Sequence, residues 1–376
     1  MRPRRILYFL NSSVRAGVEE HVLSLLAGLD RDRYVSALCC PAPLLDAFAS
    51  DLAALPVTCY PVDATSWTRP REMARLARAI VRFGPDIVHT HLFRATLVAA
   101  PLAKALRVPV VVETYHGREA WRRGRIKGSF AVDRLVARHV DAVIAVSDAA
   151  ARFLIDAKRL PATKVQVIPN GRDLSAFRQA DGTGAAVRRE LGIADGAPVL
   201  GVVGRLESQK GHRYLVDALP HVTAKVPDVR VLVTGDGSLR GELERQAAAA
   251  GLGNIVFTGF RDDIPRLIAA MDVVVLPSLY EGMPLVAIEA AAAGKPIVAT
   301  AVDGTPEVVQ DRVSGLLVPP ADTDALGAAI LELLNAPDMR TDMGAAAARL
   351  ARERFDIRRQ IAETEALYRS AWRART

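Results

Sequence analysis

Short apolar runs alternate with amphipathic stretches along nearly the whole chain, and this constrains the fold more than any other feature. The first series of strand-like runs is Arg5–Leu10, Tyr34–Cys40, Val57–Tyr60, Asp86–Thr90, Pro109–Thr114, Asp141–Val146 and Val165–Ile168. Helix-period segments such as Gly17–Leu29, Arg71–Phe83 and Ser147–Lys158 lie between them. A second series follows: Val199–Gly204, Val229–Thr234, Ile255–Thr258, Val273–Leu276, Ile297–Thr300 and Gly315–Val318. Apolar strands interleaved with helices read as βαβ units, hence parallel sheets covered on both faces. The series meet at Pro169-Asn170-Gly171, followed by a polar, glycine-containing stretch from Arg178 to Gly184, a linker signal. The expectation is α/β, two doubly wound Rossmann-like domains, with ligands at the carboxyl ends of the strands in a cleft between them.

Composition agrees with two soluble domains. The chain has 376 residues, half of them hydrophobic and 24% charged, enough apolar content to exclude disorder as the dominant state. The longest stretch without a charged residue, Gln246 to Phe260, is broken by Gly251, Gly253, Asn254 and Gly259, whereas a membrane-spanning helix needs about 20 mostly apolar residues. Met1-Arg2-Pro3-Arg4-Arg5 looks like the charged start of a signal peptide, but the apolar run Ile6–Leu10 ends at once in Asn11-Ser12-Ser13. Cys39, Cys40 and Cys59 show neither zinc spacing nor a disulfide framework. The expected location is therefore cytoplasmic. Charge is uneven, with 26 Lys/Arg against 16 Asp/Glu in residues 1–175 and 16 against 22 in residues 176–350, which points to an acidic partner for the first half.

The densest chemical signal is Ser278-Leu279-Tyr280-Glu281-Gly282-Met283-Pro284-Leu285, running on to Glu289. It follows a strand and opens a helix at Pro284, a favoured first-turn residue, and the free amides of such a start suit a phosphate. Taken as an isolated pair, Glu281 and Glu289 read more readily as a helix cap and a solvated surface residue than as ligand contacts. The second signal is Gly204-Arg205-Leu206-Glu207-Ser208-Gln209-Lys210-Gly211, where Arg205 and Lys210 occupy the loop after the second series' first strand and could neutralise a diphosphate. The glycine-lysine-serine/threonine spacing of a P-loop is absent. The third is the loop Asn11–Glu19, in which Gly17 permits close backbone approach.

Together these residues resemble the family 4 retaining glycosyltransferases of GT-B fold. The resemblance rests on Glu281 with Glu289, Gly204-Arg205 with Lys210-Gly211, and Val167-Ile168-Pro169-Asn170-Gly171. Gly235-Asp236-Gly237, Gly259-Phe260 and Ala299–Glu307 complete it, in order, over nearly the full chain. The family's paired glycines in the first loop are Ala16-Gly17 here.

The resemblance implies an acceptor-side domain over 1–175, a nucleotide-sugar domain over 176–355, and a final helix, 356–376, packed back on the first domain. Glu289 would accept hydrogen bonds from the ribose diol. Arg205 and Lys210 would hold the diphosphate and stabilise the leaving group. Glu281 with Gly282, Met283, Pro284 and Leu285 would face the donor sugar and distal phosphate. Gly235, Phe260, Arg261 and Ile264 would complete the donor site, the last three along the base, and Gly17 would bring an amide to the diphosphate. His116, in Thr114-Tyr115-His116-Gly117, matches a family histidine near the reacting sugar, so the catalytic set would be His116, Arg205, Lys210 and Glu281. His89 and His91 remain structural or acceptor-side, and His21, His139, His212 and His221 receive no role.

The implied reaction is hexose transfer with retention from a nucleotide sugar, a UDP-sugar first and GDP-mannose next, to a cell-envelope glycan or lipid-linked acceptor. No cofactor is required beyond that co-substrate. Metal is dispensable, since Asp30-Arg31-Asp32 and Asp322-Thr323-Asp324 sit at a helix end and a helix start. Arg71, Arg75, Arg78 and Arg82 form a basic stripe on one helix face, and Trp121 lies among Arg118, Arg122, Arg123, Arg125 and Lys127. A solvated face and attachment to an anionic inner-membrane surface both fit these clusters, while no nucleic-acid motif accompanies them. A sugar-nucleotide epimerase or hydrolase on the same fold, or a non-catalytic nucleotide-sugar-binding subunit, are the alternatives. Oligomeric state is not encoded in any motif.

Overall fold

The computed structural model describes residues 2–64, 68–118, 130–180 and 182–375. The chain forms two compact units, Met1–Asn170 with Ile357–Thr376, and Gly171–Asp356. Every apolar run expected as a strand is one, with ends displaced by a residue at most. The first unit contains β1 (Arg4–Phe9), β2 (Tyr34–Cys40), β3 (Thr58–Pro61), β4 (Ile87–His91), β5 (Val110–Tyr115), β6 (Ala142–Ala145) and β7 (Val165–Val167). The second contains β8 (Val199–Val203), β9 (Arg230–Thr234), β10 (Ile255–Gly259), β11 (Val273–Leu276), β12 (Ile297–Thr300) and β13 (Gly315–Val318).

All described pairings are parallel, in the orders β3-β2-β1-β4-β5-β6-β7 and β10-β9-β8-β11-β12-β13. Strand order reverses between β1 and β4 and again between β8 and β11, and such switch points open a crevice at the strands' carboxyl ends. The central strands are buried on both faces. Along β1, Leu7 and Phe9 enter one core while Ile6 and Tyr8 enter the other, as the two-residue period of a strand demands. Burying each such side chain contributes roughly 1.5–3 kcal/mol, so the middle of each sheet is the rigid part.

The helix Gly17–Gly28 begins as expected, and Arg71–Phe83 is helical from Pro70. Ser147–Lys158 is not one regular helix: Asp148–Arg152 is α-helical and Phe153–Ala157 winds as a wider π turn. The final helix, Ile357–Arg373, joins the first unit through buried Leu367 and Tyr368. The Tyr368 hydroxyl lies 3.0 Å from that of Tyr8 and 2.6 Å from Nδ1 of His89, and Glu365 accepts the backbone N–H of Asp30 at 3.0 Å.

Candidate functional site

In the second unit, the loops that leave β8 and β11 lie at the switch point and carry the strongest sequence signals. The β8 loop turns back at Gly211, whose φ of 66° and neighbours admit only glycine: a Cβ there would lie 1.9 Å from the carbonyl oxygen of Pro277. This close approach brings the loops together. Leu279 donates its N–H to the Gln209 carbonyl at 2.8 Å, and the Gln209 amide donates to that of Tyr280 at 3.0 Å. Gly235, with φ 129°, presses on the same turn, and a Cβ would meet the Gly204 carbonyl at 2.1 Å. Backbone packing, not ligand contact, is therefore enough to demand glycine at Gly235.

On this frame Lys210 and Glu281 form one unit. Lys210 Nζ is 2.6 Å from Glu281 Oε1, the same oxygen accepts the Ser278 hydroxyl at 2.8 Å, and the Glu281 backbone N–H donates to Asp303 at 3.0 Å. Both side chains are largely buried, so each charge depends on the other. Arg205 is exposed and makes no side-chain hydrogen bond or ion pair among the described residues.

Beyond Pro284 the helix Leu285–Ala292 places Glu289 on its buried side. The position that looked solvated is 5% exposed, and its carboxylate meets the Arg172 guanidinium at 2.7 Å. Arg172 itself is fixed by its backbone N–H, which donates to the Phe355 carbonyl at 2.9 Å. Met283 and Pro284 are buried, while Gly282 and Leu285 are partly exposed. Phe260 is 72% exposed on the loop after β10. Arg261 is clamped by Asp263 at 2.7 Å and Glu190 at 2.6 Å, which makes it a loop brace, and Ile264 starts the next helix.

In the first unit Gly17 is exposed at the start of its helix, and in the same loop the buried Asn11 amide nitrogen has no partner among the described residues. His116 follows β5. Its Nε2 is 3.0 Å from Nδ1 of His91 at the end of β4, and its ring stands edge-on to His21, centroids 4.8 Å apart. His21 lies 3.0 Å from Asn170 Oδ1 and 3.1 Å from Gln360 Nε2, while His89 is held by Tyr368 and by Thr114 at 2.7 Å. Burial pushes His21 down to about 4 and holds His89, His91 and His116 well below the usual imidazole range, so all four are neutral at pH 7.

The ligating atoms of His21, His91 and His116 fall within 4.8 Å of one another. Metal–nitrogen bonds of about 2.0–2.1 Å place tetrahedral ligand atoms roughly 3.4 Å apart, closer than this set spreads. Hydrogen bonds engage Nδ1 of His91, Nε2 of His116 and the His21 ring. The sequence gives no individual role to Arg172, Ser278, Asp303 or His21, and leaves His91 structural or acceptor-side. The signal for the histidines lay in strand period: His89 and His91 share one face of β4, and His91 pairs with Thr114, two residues before His116.

Arg71, Arg75, Arg78 and Arg82 are exposed along Pro70–Phe83, whose Leu76, Ala79, Ile80 and Phe83 are buried. Arg75 pairs with Glu72 at 2.6 Å, which removes part of the stripe's charge. Trp121, Arg122 and Arg123, with Arg125 and Lys127, lie outside the described residues. No helix of the described residues is long and apolar enough to cross a membrane.

Residues 15–176 match Glycosyltransferase Family 4 and residues 197–336 match Glycosyl transferases group 1. The UDP-Gal:alpha-D-GlcNAc-diphosphoundecaprenol alpha-1,3-galactosyltransferase of Escherichia coli is 32% identical over 247 residues, 64% of this chain and 64% of that protein. The 2-deoxystreptamine glucosyltransferase of Streptomyces kanamyceticus is 30% identical over 270 residues, 68% of this chain and 70% of that one. HepE of Anabaena, solved with UDP and glucose, matches with a TM-score of 0.84 at 26% identity, over 96% of this chain and 99% of that chain. Two parallel Rossmann-like sheets with these relatives define a glycosyltransferase of GT-B fold. The chain belongs to glycosyltransferase family 4.

Proposed function

We propose that this enzyme moves a hexose from a UDP-sugar, with GDP-mannose the next candidate, to a cell-envelope glycan or lipid-linked acceptor with retention at the anomeric carbon. The observation that carries the donor half is the Lys210–Glu281 pair at the β8/β11 switch point, beside the start of the helix that bears Glu289. Lys210 and exposed Arg205 supply cations for a diphosphate. Glu289 supplies a carboxylate for the ribose diol, with Arg172 fixing its rotamer. Gly17 and His116 are the first unit's contributions, to the diphosphate and the sugar. In the reaction the bond from C1 to the phosphate oxygen breaks, C1 bonds the acceptor oxygen, and the acceptor's proton passes to the leaving phosphate. Arg205 and Lys210 stabilise the charge that develops there.

The UDP bound in the HepE structure and the UDP-galactose of the E. coli relative's name support a uridine donor. That relative's diphosphoundecaprenol acceptor supports a lipid-linked one, as do the exposed arginines of Pro70–Phe83. The test is to incubate the enzyme with UDP-glucose, UDP-galactose or GDP-mannose and a lipid-linked saccharide, then read the product's anomeric coupling by NMR. An α-linked product from a UDP-sugar is expected. A β-linked product would overturn retention, and turnover with GDP-mannose alone would overturn the donor.

A further inference from the structure

The pair His91–His116 fixes where protons sit. A neutral imidazole carries one N–H and one lone pair, and burial keeps both rings neutral. Nδ1 of His91 and Nε2 of His116 are 3.0 Å apart, so one donates to the other. Nε2 of His91 is buried without a partner among the described residues. If His116 donated, His91 would carry its only proton on that orphaned nitrogen, as an unsatisfied N–H in the core. If His91 donates, only a lone pair is left unmatched. Orphaned buried N–H groups are rarer than under-satisfied acceptors, which selects the second arrangement.

We propose that His91 locks His116 in the Nδ1–H form, so that His116 offers its ligand a hydrogen-bond donor and cannot act as a general base. His116 is partly exposed, and its Nδ1 has no partner among the described residues. The group it meets is then an oxygen acceptor, such as a sugar hydroxyl. His91 is a positioning residue, acting only through His116. The inference rests on reading His116 as part of the substrate site.

The test is ¹⁵N labelling of histidine in the full chain at pH 7, with long-range ring correlations and His116 assigned through His116→Ala. A protonated Nδ1 with a bare Nε2 is expected, and the reverse overturns the proposal. His91→Leu removes the donor, whereas His91→Asn keeps one near Nδ1. In the Leu variant kcat should fall about fivefold with the donor KM little changed, and the Asn variant should recover most of it. Equal losses in both variants would overturn the positioning role. The two readings fail separately: full activity in His116→Ala would remove His116 from the site, yet leave the measured proton where it is.

Discussion

The two units gather their polar groups at equivalent switch points in opposite electrostatic states. The second unit does so with ions: Lys210 on Glu281 and Arg172 on Glu289, with Arg205 exposed beside them. The first does so with neutral imidazoles, buried His21, His89 and His91 and partly exposed His116: His91 bonds His116, His89 bonds Tyr368 and His21 meets side-chain amides. An ionic site can neutralise an anion but must be kept intact by its own pairs. A neutral one can only exchange hydrogen bonds, which suits hydroxyl-bearing ligands. On the proposed function, the second unit's ions would suit a diphosphate and the first unit's neutral rings the uncharged oxygens of a sugar.

The largest effect that would break this contrast is on Lys210. Lys210→Ala should lower turnover by ~10²–10³-fold, through lost stabilisation of the leaving group. It also leaves the Glu281 carboxylate buried without its cation, so Tm should drop. Adding Glu281→Gln should restore Tm but not turnover. Recovery of both would make the pair purely structural, and steady-state kinetics with thermal melts decides.

Acid sharpens the comparison next. The folded His21 value is about 4 against an ordinary 6.5, so the unfolded chain binds the extra proton between those limits. Its contribution is fully present above about pH 6.5 and is lost as pH falls toward 4, roughly 3 kcal/mol in all. His89, His91 and His116 push in the same direction, whereas the second unit contributes His212, lowered to about 4. Hydrogen exchange between pH 7 and 4.5 should show the first unit losing protection before the second. The opposite order would contradict the neutral-cluster account.

Glu289→Ala should weaken nucleotide binding by ~10–100-fold, through a lost charge-assisted bond. Arg172→Leu should have a smaller effect, about threefold to tenfold, since it frees the Glu289 rotamer without removing an acceptor. Calorimetric affinities for one nucleotide across both variants check the order, and an Arg172 effect larger than that of Glu289 would mean that Arg172 itself touches the ligand.

The fold was readable because its information is local. Valine- and isoleucine-rich runs such as Val273–Leu276 are strands wherever helices cover both faces, and their ends fell within a residue. The site was readable only as separate pieces. Lys210 and Glu281 are 71 residues apart and meet because β8 and β11 are neighbours, a fact of strand order that no local pattern states. Glu289 looked solvated because its helix position says nothing of Arg172, which reaches it from the far end of the unit's sequence. Glycine at Gly235 is demanded by the Gly204 carbonyl, which comes from a different strand's end. The Arg261 side chain is braced by Glu190, 71 residues away, together with the neighbouring Asp263. In each case the missing information was a long-range partner.

The most direct test of the donor-site claim is calorimetric titration of the full chain with UDP, GDP and ADP, repeated with Lys210→Ala and Glu289→Ala. The account predicts a clear preference for UDP that both substitutions weaken. Equal or absent binding of all three nucleotides, or UDP affinity unchanged by both substitutions, would contradict a nucleotide-sugar site at the β8/β11 switch point.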